Sequence, residues 1–346
     1  MSSILHGEIS EQPEVIRRFL AAEAEHVAEI GRQLARRRLC YVLMVGRGTS
    51  GNAARYGQYL FAALDGLVVA PSTPSLFTMY HTPPCLDHAL VIGISQSGQS
   101  PDIVGVLEEA HRQNAPTIAI TNDLNSPLAA AAQHVVELHA GPERSVAATK
   151  TFTAQLAALA LLAMNLAPDP PPSSLLESIP ALLEQALRSE PAAQAAAEHM
   201  ASADRCALLG RGFNYATVYE IALKIKELAY VAAEAHSSAT FRHGPIAMIE
   251  AGFPVAVVDV GETFRGELAE LRRVLRERGA TLAVFSDEEQ ARYLQDLWVP
   301  VPRVTPEWLS PLVAVVPGQL WAYHLALARG INPDEPRVIS KVTLTR

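Results

Sequence analysis

Val45-Gly46-Arg47-Gly48-Thr49-Ser50-Gly51-Asn52-Ala53 reads as an apolar strand end, a glycine-marked turn and a helix start, and Leu209-Gly210-Arg211-Gly212-Phe213-Asn214-Tyr215-Ala216 repeats it. The leading glycines lie 210 − 46 = 164 residues apart. Thr117–Asp123 (TIAITND) returns as Thr281–Asp287 (TLAVFSD) at the same distance, 281 − 117 = 164. Between these pairs, the run from Ala89 (ALVIGI) corresponds to the run from Val255 (VAVVDV), displaced by 255 − 89 = 166. Three strand-and-turn matches in one order mark a duplicated domain.

Outward from the repeat, short β-rich runs at Tyr41–Val45, Leu67–Ala70, Ala89–Ile94, Pro116–Thr121 and His134–Leu138 alternate with helical patterns, Asn52–Leu64 among them. Such alternation implies a parallel sheet covered on both faces. Residues from Pro13 to Arg38 read as one long amphipathic helix closed by Arg36-Arg37-Arg38, where cations favour the helix dipole. Thr151–Ala167 is a further helix, ended by Pro168-Asp169-Pro170-Pro171-Pro172, a boundary between halves. The expected fold class is α/β, with two tandem domains, each a parallel sheet flanked by helices in a flavodoxin-like three-layer αβα arrangement. The expected domains are 1–168 and 169–330, followed by a tail at 331–346.

Length and composition bound the function. A chain of 346 residues, 49% apolar and 18% charged, has room for two well-packed cores. A formal net charge of −8 leaves no basic surplus to neutralise phosphates, so no nucleic-acid partner is expected. Cys40, Cys85 and Cys206 are scattered, with neither a disulfide framework nor zinc-ligand spacing. The start, MSSILHGEIS, lacks the features of a signal peptide, and the apolar run Leu156–Met164 is too short to span a bilayer. A cytoplasmic protein with no membrane partner is expected.

The halves differ in their chemistry. After its third strand the first carries Ser95-Gln96-Ser97-Gly98-Gln99-Ser100 and then Pro101-Asp102, where a helix should start; the second has Gly261-Glu262-Thr263 there. Hydroxyls and free N–H groups at a helix N-terminus make an anion site without net positive charge, although Ser-rich turns are also common caps. Ser50 adds a hydroxyl at an equivalent strand end. Gly46 to Gly51 fits G-x-G-x-x-G, but no acidic residue follows at the next strand end, where Pro71-Ser72-Thr73 stands, so a small phosphate fits better than a dinucleotide. The second half carries the reactive side chains. A helix expected over Tyr215–Ala233 places Glu220, Lys224 and Glu227 on one face, leading through an Ala/Ser-rich turn to His243-Gly244-Pro245. A solvated ion-pair stripe is the plainer reading of those charges. A carboxylate, an ammonium and an imidazole together suit proton movement on a carbonyl compound. His236 and His243, seven apart in a loop, do not have helical metal-ligand spacing, and no metal or cofactor is expected.

Taken together, GRGTSGNAARYGQYL, ISQSGQSPDIV, AGPERSVAATKTFTAQLAAL, EIALKIKELAYVAAEAHSSATFRHGP and GINPDEPRVISKVTLTR resemble, in order, the motifs of the sugar isomerase (SIS) family. The resemblance runs from about Glu8 to Arg346 and points to the isomerase half of glucosamine-6-phosphate synthase and to the SIS-type glucosamine-6-phosphate deaminases. It implies that Thr49, Ser50, Ser95, Gln96, Ser97 and Ser100 bind the sugar phosphate and that the Val146–Ala148 stretch touches the sugar, with Ala148 where synthases typically place a serine. It further implies that Glu227 shuttles a proton between C1 and C2, that His243 opens the ring, that Glu220 and Lys224 assist, and that Lys341 contacts the open-chain sugar. In the family the histidine completes a neighbouring subunit's site, which implies a homodimer. With Met1 followed by serines and the isomerase motifs starting almost at once, the synthase's glutaminase domain with its N-terminal nucleophilic cysteine is expected to be absent. The expected activity is conversion of glucosamine 6-phosphate to fructose 6-phosphate and ammonia. The alternatives are an isomerising aminotransferase fed with ammonia by a separate glutaminase, a deaminase of a related amino-sugar phosphate, and a noncatalytic sugar-phosphate sensor.

Overall fold

The computed structural model describes residues 3–289 and 296–337. The strands are β1 (Tyr41–Val45), β2 (Val68–Pro71), β3 (Ala89–Ile94), β4 (Thr117–Thr121), β5 (His134–Glu137), β6 (Arg205–Gly210), β7 (Ala232–Ser237), β8 (Pro254–Asp259), β9 (Thr281–Ser286) and β10 (Leu297–Pro300). Between them run α1 (Ile4–Ser10), α2 (Gln12–Leu34), α3 (Gly48–Asp65), α4 (Pro74–Thr78), α5 (Pro101–Arg112), α6 (Pro127–Ala131), α7 (Lys150–Leu166) and α8 (Ser174–Glu177). The second half adds α9 (Ile179–Leu187), α10 (Glu190–Met200), α11 (Tyr215–Ala229), α12 (Ser238–Arg242), α13 (Arg265–Glu277) and α14 (Ser310–Ala328).

Two all-parallel five-stranded sheets result, in the orders β2-β1-β3-β4-β5 and β7-β6-β8-β9-β10, which are the same order twice. The duplication read from the sequence is therefore a duplication of topology. Leu43 of β1 lies opposite Val91 of β3, and Ala207 of β6 lies opposite Val255 of β8. Val255 is thus the counterpart of Val91, not of Ala89, and the displacement of 166 becomes 255 − 91 = 164.

Compactness divides the described residues into two units, neither continuous in sequence. One comprises 14–143 and 150–178; the other comprises 3–13, 144–149 and the residues from 179 onward. In the first unit, Leu43, Val45 and Val91 of the sheet are buried in one cluster with Ile103, Val106 and Leu107 of α5. In the second, Leu209, Val255 and Val257 form a cluster with Leu268, Leu271 and Leu275 of α13, while α11 packs on α14. A Cβ on Gly318 of α14 would meet Ile221 Cδ1 at 2.2 Å, so glycine is what lets α11 come this close.

Several boundaries depart from the sequence reading. The long helix expected from Pro13 is α2, which begins at Gln12, and a separate short helix, α1, precedes it. Helix α2 stops at Leu34, so Arg36-Arg37-Arg38 lies beyond the helix rather than in its last turn. The helix expected to reach Ala233 ends at Ala229, where Tyr230 turns left-handed (φ 57°), and Ala232–Ser237 is the edge strand β7 rather than a turn. Residues Glu307–Ala328 are long and apolar enough to cross a membrane by length and composition, but 83% of their most apolar window is buried inside the protein. At its start, α1 is capped from far along the chain. Asp334 accepts from the Ile4 and Leu5 N–H groups, each at 2.9 Å, and from the Ser3 hydroxyl at 3.0 Å.

Candidate functional site

In the first unit the hydroxyl groups singled out from sequence gather at the carboxyl ends of neighbouring strands. Thr49 and Ser50 open α3 just beyond β1, and Ser95 follows β3, its ladder partner. Ser95 and Ser50 are buried, and Ser50 Oγ accepts from Gln155 Nε2 at 3.0 Å. Gln155 was not foreseen, although a lone glutamine inside the apolar Thr151–Ala167 stretch was a signal. The loop from Ser95 to Ser100 is bonded to itself. The Gly98 N–H donates to Ser95 Oγ at 3.1 Å and the Gln99 N–H to Ser97 Oγ at 3.4 Å. Ser100 is the N-cap of α5 but makes no side-chain cap bond, so its hydroxyl stays uncommitted among the described residues. Gly98 has φ +61°, and a Cβ there would sit 2.1 Å from Ser126 Oγ. Glycine at that point is a geometric requirement.

The equivalent strand end of the second unit has the opposite character. Asp259 stands where Ser95 stands in the first, at 259 − 95 = 164. It is fully buried, and its charge contact with Arg272 Nη2 at 3.0 Å lacks hydrogen-bond geometry, so burial still pushes its pKa up to about 6. The Gly261-Glu262-Thr263 turn is filled by the chain's own carboxylate, with the Thr263 N–H and hydroxyl donating to Glu307 Oε2 at 3.3 and 2.7 Å. A phosphate would meet acids there rather than hydroxyls.

On α11 the three charged residues do converge. Lys224 Nζ lies 2.6 Å from Glu227 Oε2 and 3.4 Å from Glu220 Oε1. Glu220 and Lys224 are buried (0% and 1% side-chain exposure), whereas Glu227 is 25% exposed. The solvated-stripe reading therefore fails, since two of its three members see no water. Glu227 is the end of this charge chain that is open to solvent, and the Lys224 ammonium holds it in place.

Segment 144–149 belongs to the same unit as α11. Exposure alternates along it: Arg144 is exposed and Val146 and Ala148 are half-buried, while Ser145, Ala147 and Thr149 are buried. The two positions expected at the sugar are thus both on the open side. His243 follows α12; it is exposed and makes no side-chain hydrogen bond among the described residues. His236 lies in β7 rather than in a loop, 3.3 Å from Glu234 Oε2. Lys341 falls outside the described residues. Among the described residues one group has metal-ligand proximity: Glu23, Glu137 and His139 bring one donor atom each to within 4.8 Å. His139 Nε2 is 2.8 Å from Glu23 Oε1, the spacing of a hydrogen-bonded pair.

The SIS domain family matches residues 39–165 and 199–329. The chain is 35% identical to glutamine–fructose-6-phosphate aminotransferase (isomerizing) of Thermococcus kodakarensis over 344 residues, covering 96% of this chain and 56% of that protein. It is 36% identical to the protein of the same name from Symbiobacterium thermophilum, covering 96% and 58%. It therefore spans little more than half the length of these relatives. Among solved structures, a protein of Silicibacter pomeroyi provisionally named a phosphosugar isomerase is 36% identical, with a TM-score of 0.86 over 96% of this chain and 100% of the other. The C-terminal domain of glucosamine-fructose-6-phosphate aminotransferase from Francisella tularensis is 26% identical, with a TM-score of 0.88 over 97% and 99%.

Proposed function

We propose, from the premise that this chain belongs to the SIS domain family, that it converts glucosamine 6-phosphate and water to fructose 6-phosphate and ammonia. The observation that carries this reading is the Glu220–Lys224–Glu227 chain, buried at one end and open at Glu227. Once the ring is open, Glu227 takes the proton from C2 and returns it to C1. The bond between C2 and nitrogen becomes an imine, which water hydrolyses to the ketone with loss of ammonia. A carboxylate fixed on a rigid helix suits carbon-proton transfer, where about 1 Å of misplacement costs roughly a hundredfold in rate. Lys224 balances the charge that the proton leaves behind.

The remaining roles follow the same chemistry. Ser95, Gln96, Ser97 and Ser100, with Thr49 and Ser50, hold the phosphate through hydroxyl and N–H donors at the start of α5. Val146 and Ala148 touch the sugar, and Lys341 meets its open-chain form. His243 opens the ring; its exposure and lack of a side-chain hydrogen-bond partner among the described residues fit service to a neighbouring copy of the chain in a homodimer. No cofactor is needed for these steps.

A second reading, an isomerising transferase that takes ammonia from another protein, is favoured by the name of the 35%-identical relative. The test is ammonia release from glucosamine 6-phosphate without glutamine, with exchange of the C2 proton followed in D2O. The wild-type protein should release ammonia and ketose phosphate together, and Glu227→Gln should bind sugar but lose exchange. Folded protein that yields neither product from any amino-sugar phosphate would overturn the activity. Exchange undiminished in Glu227→Gln would overturn Glu227 as the base.

A further inference from the structure

We infer that Glu8, Gln12 and Gln319 are positioning residues that set the sugar-facing segment 144–149 at both of its ends. The inference rests on the reading that Val146 and Ala148 touch the sugar. The segment is neither helix nor strand, so its backbone groups need partners from elsewhere. Glu8, on α1, is 4% exposed and accepts from the Arg144 N–H at 2.5 Å and the Ser145 N–H at 3.2 Å. A buried carboxylate is tolerated where such donors meet it, and charge-assisted bonds of this kind are the strong ones.

The other end is held from α14. Gln319 Nε2 donates to the Thr149 carbonyl at 3.4 Å, while its Oε1 accepts from Gln12 Nε2 at 2.8 Å. Gln12 also donates to the Ile9 carbonyl at 2.9 Å, which fixes the amide's orientation. Gln12 and Gln319 are 0% and 1% exposed, so neither can reach a substrate. All three act through the segment they hold. Pinned at Arg144–Ser145 and at Thr149, the chain between has little freedom but to present Val146 and Ala148 outward.

The test compares Glu8→Gln, Glu8→Asp and Gln12→Met in the full chain. The readouts are amide hydrogen exchange of 144–149, thermal stability, and KM and kcat for glucosamine 6-phosphate. Glu8→Gln puts an amide N–H where an N–H donor must be met, and should raise exchange at Arg144 and Ser145 and KM by roughly tenfold or more each. Glu8→Asp keeps the charge and should recover part of both losses. Gln12→Met, nearly equal in volume, should loosen Thr149 while leaving the Arg144 amide protected. Unchanged exchange in folded Glu8→Gln would overturn the clamp. A fall in stability with KM unaltered would reduce Glu8 to a fold-holding residue. Should the wild-type protein turn over no phosphosugar, the proposed activity fails, yet the exchange measurement still decides whether the clamp exists.

Discussion

Lys224→Met removes the ammonium from between two carboxylates while keeping an unbranched apolar stem of similar reach. Glu220 sits at 0% exposure, so its charge cannot fall back on water, while Glu227 at 25% exposure can. Removing one partner of a buried pair costs about 3–5 kcal/mol, and the exposed Glu227 contact adds about 1 kcal/mol at most. At about 2–4 °C per kcal/mol for a unit of this size, the melting temperature should drop by roughly 6–24 °C. Glu220→Leu/Lys224→Met takes away both buried charges and should recover most of that loss. Thermal unfolding by circular dichroism at pH 7.5 reads both values, and a double-mutant cycle isolates the coupling. A Lys224→Met protein within about 1 kcal/mol of wild type would refute the buried charge chain. So would a double variant no more stable than the single one.

Replacing Ser95 and Ser97 by Ala should weaken binding of a phosphosugar by about 1.5–3 kcal/mol for each bond lost to the charged group, with a smaller effect on stability. Titration calorimetry with a nonreactive phosphosugar checks this, and unchanged affinity would leave the loop a mere turn. Asp65, the last residue of α3, buries both carboxylate oxygens without a hydrogen-bond partner among the described residues, and burial pushes its pKa from 3.8 up to about 7. The folded protein therefore holds this proton longer than the unfolded chain, and stability falls as pH rises from about 4 to about 7, then levels. Asp65→Asn should remove that fall, so its advantage in melting temperature should grow between pH 5 and 7 and stay flat above. An advantage that does not vary with pH would overturn the assignment.

The sheet topology was legible because the strand-end turns repeat, and turn chemistry is local. Strand β7 was missed although the repeat held it: Val68 opens β2, and 68 plus the spacing of 164 is Ala232, the first residue of β7. Its sequence, AAEAHS, is rich in helix-favouring alanine and poor in β-branched residues, so local propensity pointed the wrong way. Pairing with β6 along its whole length decided the matter. The helix α14 was hidden by Pro317 within it. At the site, the Glu220–Lys224–Glu227 spacing was visible, but the burial that separates a charge chain from a solvated stripe comes from packing. The Glu8 clamp was not legible, because its partners lie 136 and 137 residues away in sequence.

The cap that Asp334 places on α1 has a consequence for how the chain is made. Ser3 and Asp334 are 331 residues apart, so at about 5–20 residues per second the ribosome delivers the cap roughly 15–65 s after the helix it closes. Glu8 receives its own partners less than halfway through that interval, when Arg144 and Ser145 appear. Residues 14–143 and 150–178 can meanwhile settle into their sheet as they emerge. Helix α1, the earliest of these helices to be made, is thus among the last to be secured.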